Sequence, residues 1–226
     1  MRLLTPLVMR WVNWAGKTKD MKTTYWVGHT IFRAAAKAFF RYQVVGRDKL
    51  IEEGPVLIAS NHESFLDPPL VGVAYDEAVH YLARKTLFKG PTKWLYPRWN
   101  AIPVDQEAPD MSSLKKIIKI LRSGERVVVF PEGARTLTGE LQEGEAGVGL
   151  IAAKSQAVIQ PVRIFGAFEA LPRGSGRLRF HPITIVVGDP ITLTDEEKRA
   201  KGRDGYQAIS DRIMKEIASI KHPSED

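Results

Sequence analysis

The order of apolar and polar positions divides the chain into two parts with different periods. In residues 1–40, large apolar side chains recur at helical spacing, in one group from Leu3 to Trp14 and a second from Tyr25 to Phe40. A polar, basic stretch, GKTKDMKTT, separates the two groups. The pattern predicts two amphipathic helices, with Trp, Leu and Phe on one side of each helix and Lys and Arg on the other.

From about residue 44 onward, short apolar runs that end at Gly, Pro or Asn alternate with helical stretches. Such alternation is typical of a single α/β domain, with a mostly parallel or mixed central sheet flanked by helices. Pro161 predicts a break in one strand, and Pro182 predicts that the last strand lies near a sheet edge. The predicted strands are 55–60, 79–84, 125–130, 157–165 and one or two within 178–191.

Helical periodicity predicts helices in the intervening segments. They cover residues 111–123, residues 146–155, and a C-terminal pair after Thr194 whose buried stripe is Ile209, Ile213, Ile217 and Ile220. We therefore expect an N-terminal amphipathic helical hairpin over residues 1–43, which docks on a membrane interface, and an α/β domain over residues 44–226.

The positive charge of the chain is concentrated in its N-terminal segment. The net charge is +7, and residues 1–50 contribute +8, with ten Lys or Arg residues against Asp20 and Asp48. An anionic partner is expected to bind there, either nucleic acid, an anionic membrane surface or an acidic protein. Aromatic residues on one apolar stripe suit lipid better than the separate stacking platforms that nucleic acid uses, so no nucleic acid partner is expected.

The predicted hairpin is expected to lie on a membrane and not to cross it. No uninterrupted apolar stretch there reaches the roughly 18–20 residues that crossing needs, because basic residues such as Arg10 and Arg33 interrupt it. Arg10 also argues against a signal peptide. We expect a peripheral, monotopic membrane protein at the cytoplasmic face of the cell membrane. The alternative is that both helices simply pack on the core.

Composition excludes several kinds of chemistry. The chain has no Cys, which removes disulfides, thiolate zinc sites and a cysteine nucleophile. Its five His residues form no His-x-His or His-x₃-His pair. The segment NHESFLD at 61–67 lacks the second His of a zinc-protease HExxH helix, because Leu66 occupies that position. We therefore expect no metal site and no cofactor.

A histidine follows the first predicted strand of the α/β domain. His62 stands at the end of that strand, and Asp67 lies five residues further on. Sites in open α/β sheets form at the carboxyl ends of strands. Asp67 is suited to accept from one ring nitrogen of His62 and fix the tautomer, so that the other nitrogen acts as a general base. Ser64 is poorly placed as a nucleophile and no G-x-S-x-G elbow occurs, so the expected target is a substrate hydroxyl.

A second polar segment, FPEGAR at 130–135, directly follows another strongly apolar strand. If the two strands are neighbours, His62, Asp67, Glu132 and Arg135 share one cleft. A Gly-containing turn with an Arg is suited to hold a phosphate through backbone N–H groups and a bidentate fork, with Glu132 orienting the Arg or accepting from a substrate hydroxyl. The residues alone indicate a base poised on an alcohol, in a molecule that carries a phosphate, at a membrane.

These segments resemble blocks of the glycerolipid acyltransferase family. NHESFLD is similar to the first block, N-H-x₄-D, and FPEGAR to the third, F-P-E-G-T-R, with Ala134 in place of the usual Thr. AIPVDQ at 101–106 is similar to the second block, in which Asp105 matches the Asp but Gln106 replaces a common Arg. Gln106 therefore removes one cation from that block.

Two further segments extend the resemblance. VIQPVRI at 158–164 resembles the fourth block, and ARKTLFKGP at 83–91 resembles the basic strand-to-loop segment of the family, with Lys85 matching its Lys. The blocks follow one another in the family's order across roughly residues 44–190. Any one block is a weak pattern, but the ordered set identifies the chain as a member of this family.

The resemblance implies transfer of a fatty acyl group from an acyl thioester to the sn-2 hydroxyl of 1-acyl-sn-glycerol 3-phosphate, which gives phosphatidic acid. Acyl carrier protein or coenzyme A would carry the acyl group as a co-substrate, and a lysophospholipid would be the acceptor. His62 would be the general base and Asp67 its orienting partner. The substrate-binding residues would be Glu132, Gly133, Arg135, Lys85 and Asp105.

Other functions remain open from the residues. The acceptor could instead be glycerol 3-phosphate, a lyso-ornithine lipid or another lysolipid. Water in place of the acceptor would make the chain a thioesterase. A chain of a different class, a non-catalytic protein that binds lipid at the membrane surface, would need a defunct site, and an intact His62–Asp67 pair argues against it.

Overall fold

A computed structural model describes residues 23–90, 93, 95–104 and 111–224. The first predicted helix, which falls within residues 1–22, lies outside the described residues, and so does Asp105. The strands are β1 (Gln43–Val45), β2 (Val56–Ser60), β3 (Val79–Arg84), β4 (Ala101–Val104), β5 (Arg126–Val129), β6 (Val158–Phe165) and β7 (Thr184–Val187). The helices are α1 (Thr23–Phe40), α2 (Asp67–Gly72), α3 (Met111–Arg122), α4 (Ala146–Ser155), α5 (Ala167–Ala170), α6 (Asp195–Lys198) and α7 (Gly202–Ser219).

The strands form one mixed sheet in the order β1-β7-β6-β2-β5-β3-β4. The five strands from β6 to β4 are mutually parallel, β7 is antiparallel to β6, and β1 is parallel to β7. This confirms the predicted α/β class. Strands β2 and β5 are neighbours, with Ala59 opposite Val129 near their carboxyl ends. The segments that follow β2, β5 and β3 therefore leave the sheet at one edge.

Both faces of the sheet are covered, as the fully apolar β2 requires. Successive side chains of a strand point to opposite faces. Val56 and Ile58 belong to the core beneath α1, α2 and α5, whereas Leu57 and Ala59 belong to the core beneath α3, α4 and α7. The predicted isoleucine stripe of α7 lies in or beside this second core, and all four residues are buried.

Of the two expectations about proline, the break at Pro161 is wrong and the position of the last strand is right. Strand β6 runs without a break through Pro161, whose carbonyl accepts from the Gly188 amide at 2.9 Å. The N–H that proline lacks would point to the same side as its carbonyl, toward β7, where the β6–β7 pairing ends at Val162. The proline therefore removes no hydrogen bond to β2. The expectation that the last strand lies near a sheet edge is confirmed, because β7 is second in the sheet order and pairs with the edge strand β1 on its outer side. Strand β1 has only three residues, too few to produce a recognisable apolar run.

Helix α1 is the second of the two predicted N-terminal helices, and one face of it packs on the α/β body. Tyr25, Ala36 and Phe40 are buried, while Ile31 and Phe39 on the outer side are 64% and 53% exposed. The alternative of packing on the core therefore holds for the inner face, and an apolar outer side remains. No helix of the described ranges is long and apolar enough to cross a membrane. The predicted domain boundary at residue 43 stays a prediction.

Arg33 fastens α1 to the end of α2. Its Nε donates to the Val73 carbonyl at 2.7 Å and its Nη2 donates to the Tyr75 carbonyl at 2.6 Å. Its Nη1 forms an ion pair with Asp76 at 2.8 Å. Carbonyls at a helix C-terminus lack partners within the helix and carry partial negative charge, so the guanidinium satisfies them and matches the helix dipole.

We expect Arg33→Ala to lower the free energy of unfolding by about 2–3 kcal/mol, because hydrogen bonds from a charged donor are lost and the Val73 carbonyl is left without a partner, whereas the Tyr75 carbonyl keeps His29. Lys37 is exposed on the same helix and serves as the matched control. Lys37→Ala should change stability by less than about 0.5 kcal/mol. Urea unfolding at neutral pH measures both, and equal effects of the two substitutions would contradict the role given to Arg33.

Candidate active site

The segment that carries His62 leaves the sheet directly after β2. Asn61 replaces the strand pairing at this point, because its Oδ1 accepts from the Ile164 amide at 2.7 Å and its Nδ2 donates to the Ile164 carbonyl at 3.0 Å. The side chain thus copies the two bonds of a strand residue while the main chain turns away from β6. His62 is thereby brought to the carboxyl edge of the sheet.

The structure brings His62 and Asp67 together. His62 Nδ1 lies 2.8 Å from Asp67 Oδ2, and Asp67 is the first residue of α2. The same oxygen accepts from the amides of Glu63 at 2.6 Å and Ser64 at 2.7 Å. A carboxylate only accepts, so Nδ1 carries the proton, and Nε2 forms no hydrogen bond with any residue that the structure describes. This is the tautomer that leaves Nε2 available as a base.

Asp67 is fully buried. Burial raises the pKa of this carboxyl, and the hydrogen bond and charge of His62 oppose that rise. Its second oxygen, Oδ1, has no hydrogen-bond partner among the described residues. A buried carboxylate of raised pKa is a strong acceptor, and an imidazolium beside it would neutralise its charge. The geometry therefore holds the imidazole with its far nitrogen turned away from Asp67, as a general base requires.

The imidazole ring of His62 is held on one face and remains partly open. It stacks on Phe130, with ring centroids 4.0 Å apart and an angle of 17° between the planes. Its side chain keeps 16% of its surface exposed. Phe130 directly follows β5, so the neighbouring strand supports the ring. Sequence reasoning missed this residue, although it stands directly before the PEGAR segment.

Glu132 joins the two predicted segments. Its Oε1 accepts from the His62 amide at 2.7 Å, and its Oε2 accepts from both the backbone and the side-chain nitrogen of Gln142 at 3.1 Å. The Thr136 amide donates to the His62 carbonyl at 2.8 Å. The backbone of His62 is therefore clamped from both sides by residues of the loop after β5. Burial raises the pKa of Glu132, which these amide donors oppose.

The turn after Pro131 requires a glycine. Gly133 has φ 69°, and its amide donates to the Phe130 carbonyl at 3.1 Å. A Cβ there would lie 3.2 Å from Cγ of Glu145, so any other residue would be both strained and crowded. The turn presents Arg135, which is half-buried, toward the same edge.

Several cations gather at this edge. Burial lowers the pKa of Arg135, and the positive charges of Arg173 and Arg84 lower it further. Arg173 Nη1 donates to the Arg135 carbonyl at 2.9 Å. Lys85 begins the 3₁₀ helix that directly follows β3, so it lies at the same end of the sheet. No carboxylate of the described residues forms an ion pair with Arg135, and a cluster of positive charges at one edge attracts an anion.

Sequence reasoning missed four supporting residues besides Phe130: Asn61, Glu63, Gln142 and Arg173. Glu63 is buried, and its carboxylate accepts from Asn61 Nδ2 and the Phe168 amide, both at 3.1 Å. Its position next to His62 was the only signal. Gln142 and Arg173 reach the site through tertiary contacts, which leave no spacing pattern. Ser64, judged a poor nucleophile, donates its buried hydroxyl to the Leu171 carbonyl at 3.0 Å.

No group of three or more His, Asp or Glu side chains in the described ranges is arranged to hold a metal ion. The site therefore offers a base with its orienting carboxylate, a glycine turn and a set of cations. Such a set fits proton abstraction from an alcohol whose molecule carries a negative charge nearby.

Comparison with known proteins identifies the family. The model of the Acyltransferase family matches residues 41–165, which include β2, β5, β6 and the His62–Asp67 pair. The chain belongs to this family.

Relatives of known name agree with the family. The chain is similar to a 1-acyl-sn-glycerol-3-phosphate acyltransferase of Bacillus subtilis, with 30% identity over 157 residues, 68% of this chain and 75% of that protein. It is also similar to the chloroplastic 1-acyl-sn-glycerol-3-phosphate acyltransferase BAT2 of Brassica napus, with 24% identity over 91% of this chain and 61% of that protein. The chain thus spans less than two thirds of the plant relative.

The fold has a close counterpart among solved structures. The 1-acyl-sn-glycerophosphate (LPA) acyltransferase PlsC of Thermotoga maritima superposes with a TM-score of 0.66 and 22% identity, over 86% of this chain and 80% of that one. The likeness confirms the mixed α/β architecture.

Glu63 makes stability depend on pH. Burial, followed by the nearby charge of Asp67, raises the pKa of Glu63 from the ordinary 4.5 to about 8. An unfolded chain ionises this carboxyl at the ordinary value, so the stability from neutral Glu63 is intact below about pH 4.5. It falls as the pH rises and is lost above about pH 8.

We expect the neutral isostere Glu63→Gln to remove this dependence. Between pH 5 and pH 8.5 the free energy of unfolding of the wild type should fall by about 4 kcal/mol relative to the variant. Urea unfolding across that range measures the difference. Glu140→Gln, at an exposed position, is the matched control and should track the wild type. Parallel curves for the wild type and Glu63→Gln would refute the titration.

Proposed function

We propose that this chain transfers a fatty acyl group from an acyl thioester to the sn-2 hydroxyl of 1-acyl-sn-glycerol 3-phosphate, which gives phosphatidic acid. The observation that carries the proposal is the contact of His62 Nδ1 with the buried Asp67 at 2.8 Å, which leaves Nε2 for a substrate. The Arg135 turn on the neighbouring strand supports an acceptor that carries a phosphate. The names of the relatives support the choice of this acceptor.

His62 Nε2 takes the proton of the acceptor hydroxyl while that oxygen attacks the thioester carbonyl carbon. The carbon–sulfur bond breaks as the tetrahedral intermediate collapses, and the imidazolium returns its proton to the departing thiolate. Asp67 stays ionised and stabilises the imidazolium between these two steps. The acyl group passes directly to the acceptor, with no covalent acyl-enzyme. General-base assistance of this kind contributes about 10²–10⁴ in rate.

The oxyanion that develops on the thioester carbonyl needs preorganised donors. We assign this role to a backbone N–H of the NAIPV segment, residues 100–104, with Lys85 close by. Strand β4 pairs with β3 through Ala83 opposite Pro103, and Lys85 follows β3 directly, which supports a shared position at the edge.

The phosphate of the acceptor is bound by Arg135 and Lys85, together with backbone N–H groups of the Gly133 turn. Arg84 adds charge where the second block lacks its usual Arg. Glu132 acts here as a positioning residue, because both of its oxygens accept from protein N–H groups. Asp105, beyond the described residues, keeps its expected place among the substrate-binding groups.

Both the acceptor and the donor carry long acyl chains, so the protein should work at a bilayer. We propose a peripheral protein at the cytoplasmic face, docked on anionic lipid through the predicted N-terminal hairpin. Drawing an acyl chain into water costs about 0.8 kcal/mol per methylene, so an enzyme that stays on the bilayer avoids that step. Acyl carrier protein and coenzyme A both remain candidate carriers of the acyl group.

Turnover in mixed micelles tests the proposal. Purified chain is given acyl-carrier-protein or acyl-coenzyme-A donors, and each of 1-acyl-sn-glycerol 3-phosphate, glycerol 3-phosphate and lyso-ornithine lipid as acceptor. We expect phosphatidic acid from the first acceptor, and a loss of about 10²–10⁴ in kcat for His62→Ala and for Asp67→Asn. His80→Ala, a matched histidine near the start of β3, should keep its activity.

The other results have distinct meanings. A higher kcat/KM with another acceptor would replace the acceptor and keep the chemistry. Free fatty acid without any acceptor requirement would make the chain a thioesterase. Full activity of Asp67→Asn would refute the orienting role of Asp67, and no turnover with any donor or acceptor would leave a protein that only binds lipid.

Arg135→Gln should raise KM for 1-acyl-sn-glycerol 3-phosphate by about tenfold or more, because a charge-assisted fork to the phosphate is lost. With monoacylglycerol as the acceptor, which has no phosphate, the variant and the wild type should give equal turnover. Lys119→Gln, an exposed cation on α3, should change neither. An equal loss with both acceptors would assign Arg135 a structural role instead.

A further inference from the structure

Residues 171–182, LPRGSGRLRFHP, form a projecting loop between α5 and β7 that we call the arginine loop. The Arg179 amide donates to the Ala170 carbonyl at 2.8 Å and closes the base of the loop. The Ser175 amide donates to the Pro172 carbonyl at 3.2 Å and makes a turn near the tip. The loop therefore has a defined shape, although it has no helix or strand of its own.

The arginine loop exposes large apolar side chains. Leu178 is 53% exposed and Phe180 is 71% exposed. The ring of Phe180 stacks on Phe39 of α1 at 5.3 Å, and Phe39 is itself 53% exposed. Phe65, also 53% exposed, adjoins Ser64, whose hydroxyl donates to the Leu171 carbonyl. Single exposed apolar residues are ordinary, but this group extends the apolar outer side of α1.

The charge of the loop has one sign. Arg173, Arg177 and Arg179 are exposed, and the chain has no acidic residue from Ala170 to Gly188. The guanidinium groups of Arg177 and Arg179 form no hydrogen bond or ion pair with a described residue. Along residues 177–180, cationic and apolar side chains alternate. Exposed cations beside exposed apolar groups are the combination that binds an anionic bilayer surface.

The loop is attached to the active site. Its first residue, Leu171, accepts the hydroxyl of Ser64, and Ser64 also donates its amide to Asp67. Arg173 donates to the Arg135 carbonyl at 2.9 Å. A bilayer in contact with the arginine loop would therefore lie beside the cleft of His62.

We propose that the arginine loop is a membrane-docking element of the α/β domain, which inserts Leu178 and Phe180 into the interface of an anionic leaflet while Arg177 and Arg179 bind lipid headgroups. The outer side of α1 belongs to the predicted N-terminal hairpin, and the arginine loop extends that contact to the α/β domain. An acidic protein such as an acyl carrier would also meet the arginines. The exposed side chains of Leu178 and Phe180 favour lipid, because an acidic protein would bind the arginines but would not need apolar side chains beside them.

A single fluorescent label tests insertion directly, because the chain has no native Cys. Leu178→Cys carries an environment-sensitive NBD group, and the full chain is mixed with vesicles of phosphatidylcholine and phosphatidylglycerol. We expect NBD emission to shift to the blue and rise by about twofold or more as the label leaves water. The same label at Lys119→Cys, on an exposed position of α3, should not respond. An unresponsive label at position 178 on vesicle-bound protein would overturn the proposal.

Charge reversal provides the second test. Arg177→Glu with Arg179→Glu should lower the partition coefficient onto these vesicles by at least about tenfold, and high salt should remove the difference. Lys116→Glu with Lys119→Glu reverses two exposed charges on α3 and is the matched control. Unchanged partition of the loop variant, or equal losses in both pairs, would refute lipid binding by the loop.

Turnover separates the two possible partners. The loop variant should keep wild-type kcat with acceptor dissolved in detergent micelles, with either acyl carrier, and lose activity only on vesicle-borne acceptor. Loss confined to acyl-carrier-protein donors, with vesicle partition intact, would instead make the loop a docking surface for that acidic protein. The label measurement needs no turnover, so a failure of the proposed enzymatic function would leave it informative.

Discussion

One buried carboxylate oxygen fixes the structure of the sheet edge that carries His62. Asp67 Oδ2 accepts from the imidazole of His62 and from the amides of Glu63 and Ser64, all within 2.6–2.8 Å. The oxygen bends the chain between His62 and α2 into a tight loop, and it also fixes which ring nitrogen is free. Removing such an acceptor would leave two backbone donors and one imidazole donor without a partner in the interior, so loop shape and proton chemistry depend on the same group.

The second constraint is the order of strands. His62 and Glu132 are 70 residues apart in sequence, yet the parallel pairing of β2 with β5 brings the backbone of one within 2.7 Å of the side chain of the other. Both carboxylate oxygens of Glu132 accept from protein N–H groups, and the Thr136 amide donates to the His62 carbonyl. Glu132, predicted from the sequence to bind substrate, therefore also braces the backbone of His62. Under the proposed function, the cations beside Glu132 bind the phosphate of the acceptor.

The sequence could predict elements with long apolar runs or clear periodicity, such as β3 and α4, whose observed bounds match the predicted ones. It could also predict the dyad, because both members lie within one loop. It could not predict β1, which has three residues and forms only because β7 offers an edge. Arg173 was equally hidden, since its link to Arg135 depends on how a loop after β6 folds back over the site.

The proposed membrane contacts are mechanically continuous with the catalytic pair. Arg33 of α1 binds carbonyls at the end of α2, and α2 begins with Asp67 only two turns away. The arginine loop is bound to Ser64, which donates to the same carboxylate. Docking of α1 and of the loop on a bilayer, as proposed, would therefore place the membrane within a few hydrogen-bonded residues of the group that orients His62. The base would then lie beside an acceptor whose depth is fixed by its own acyl chain.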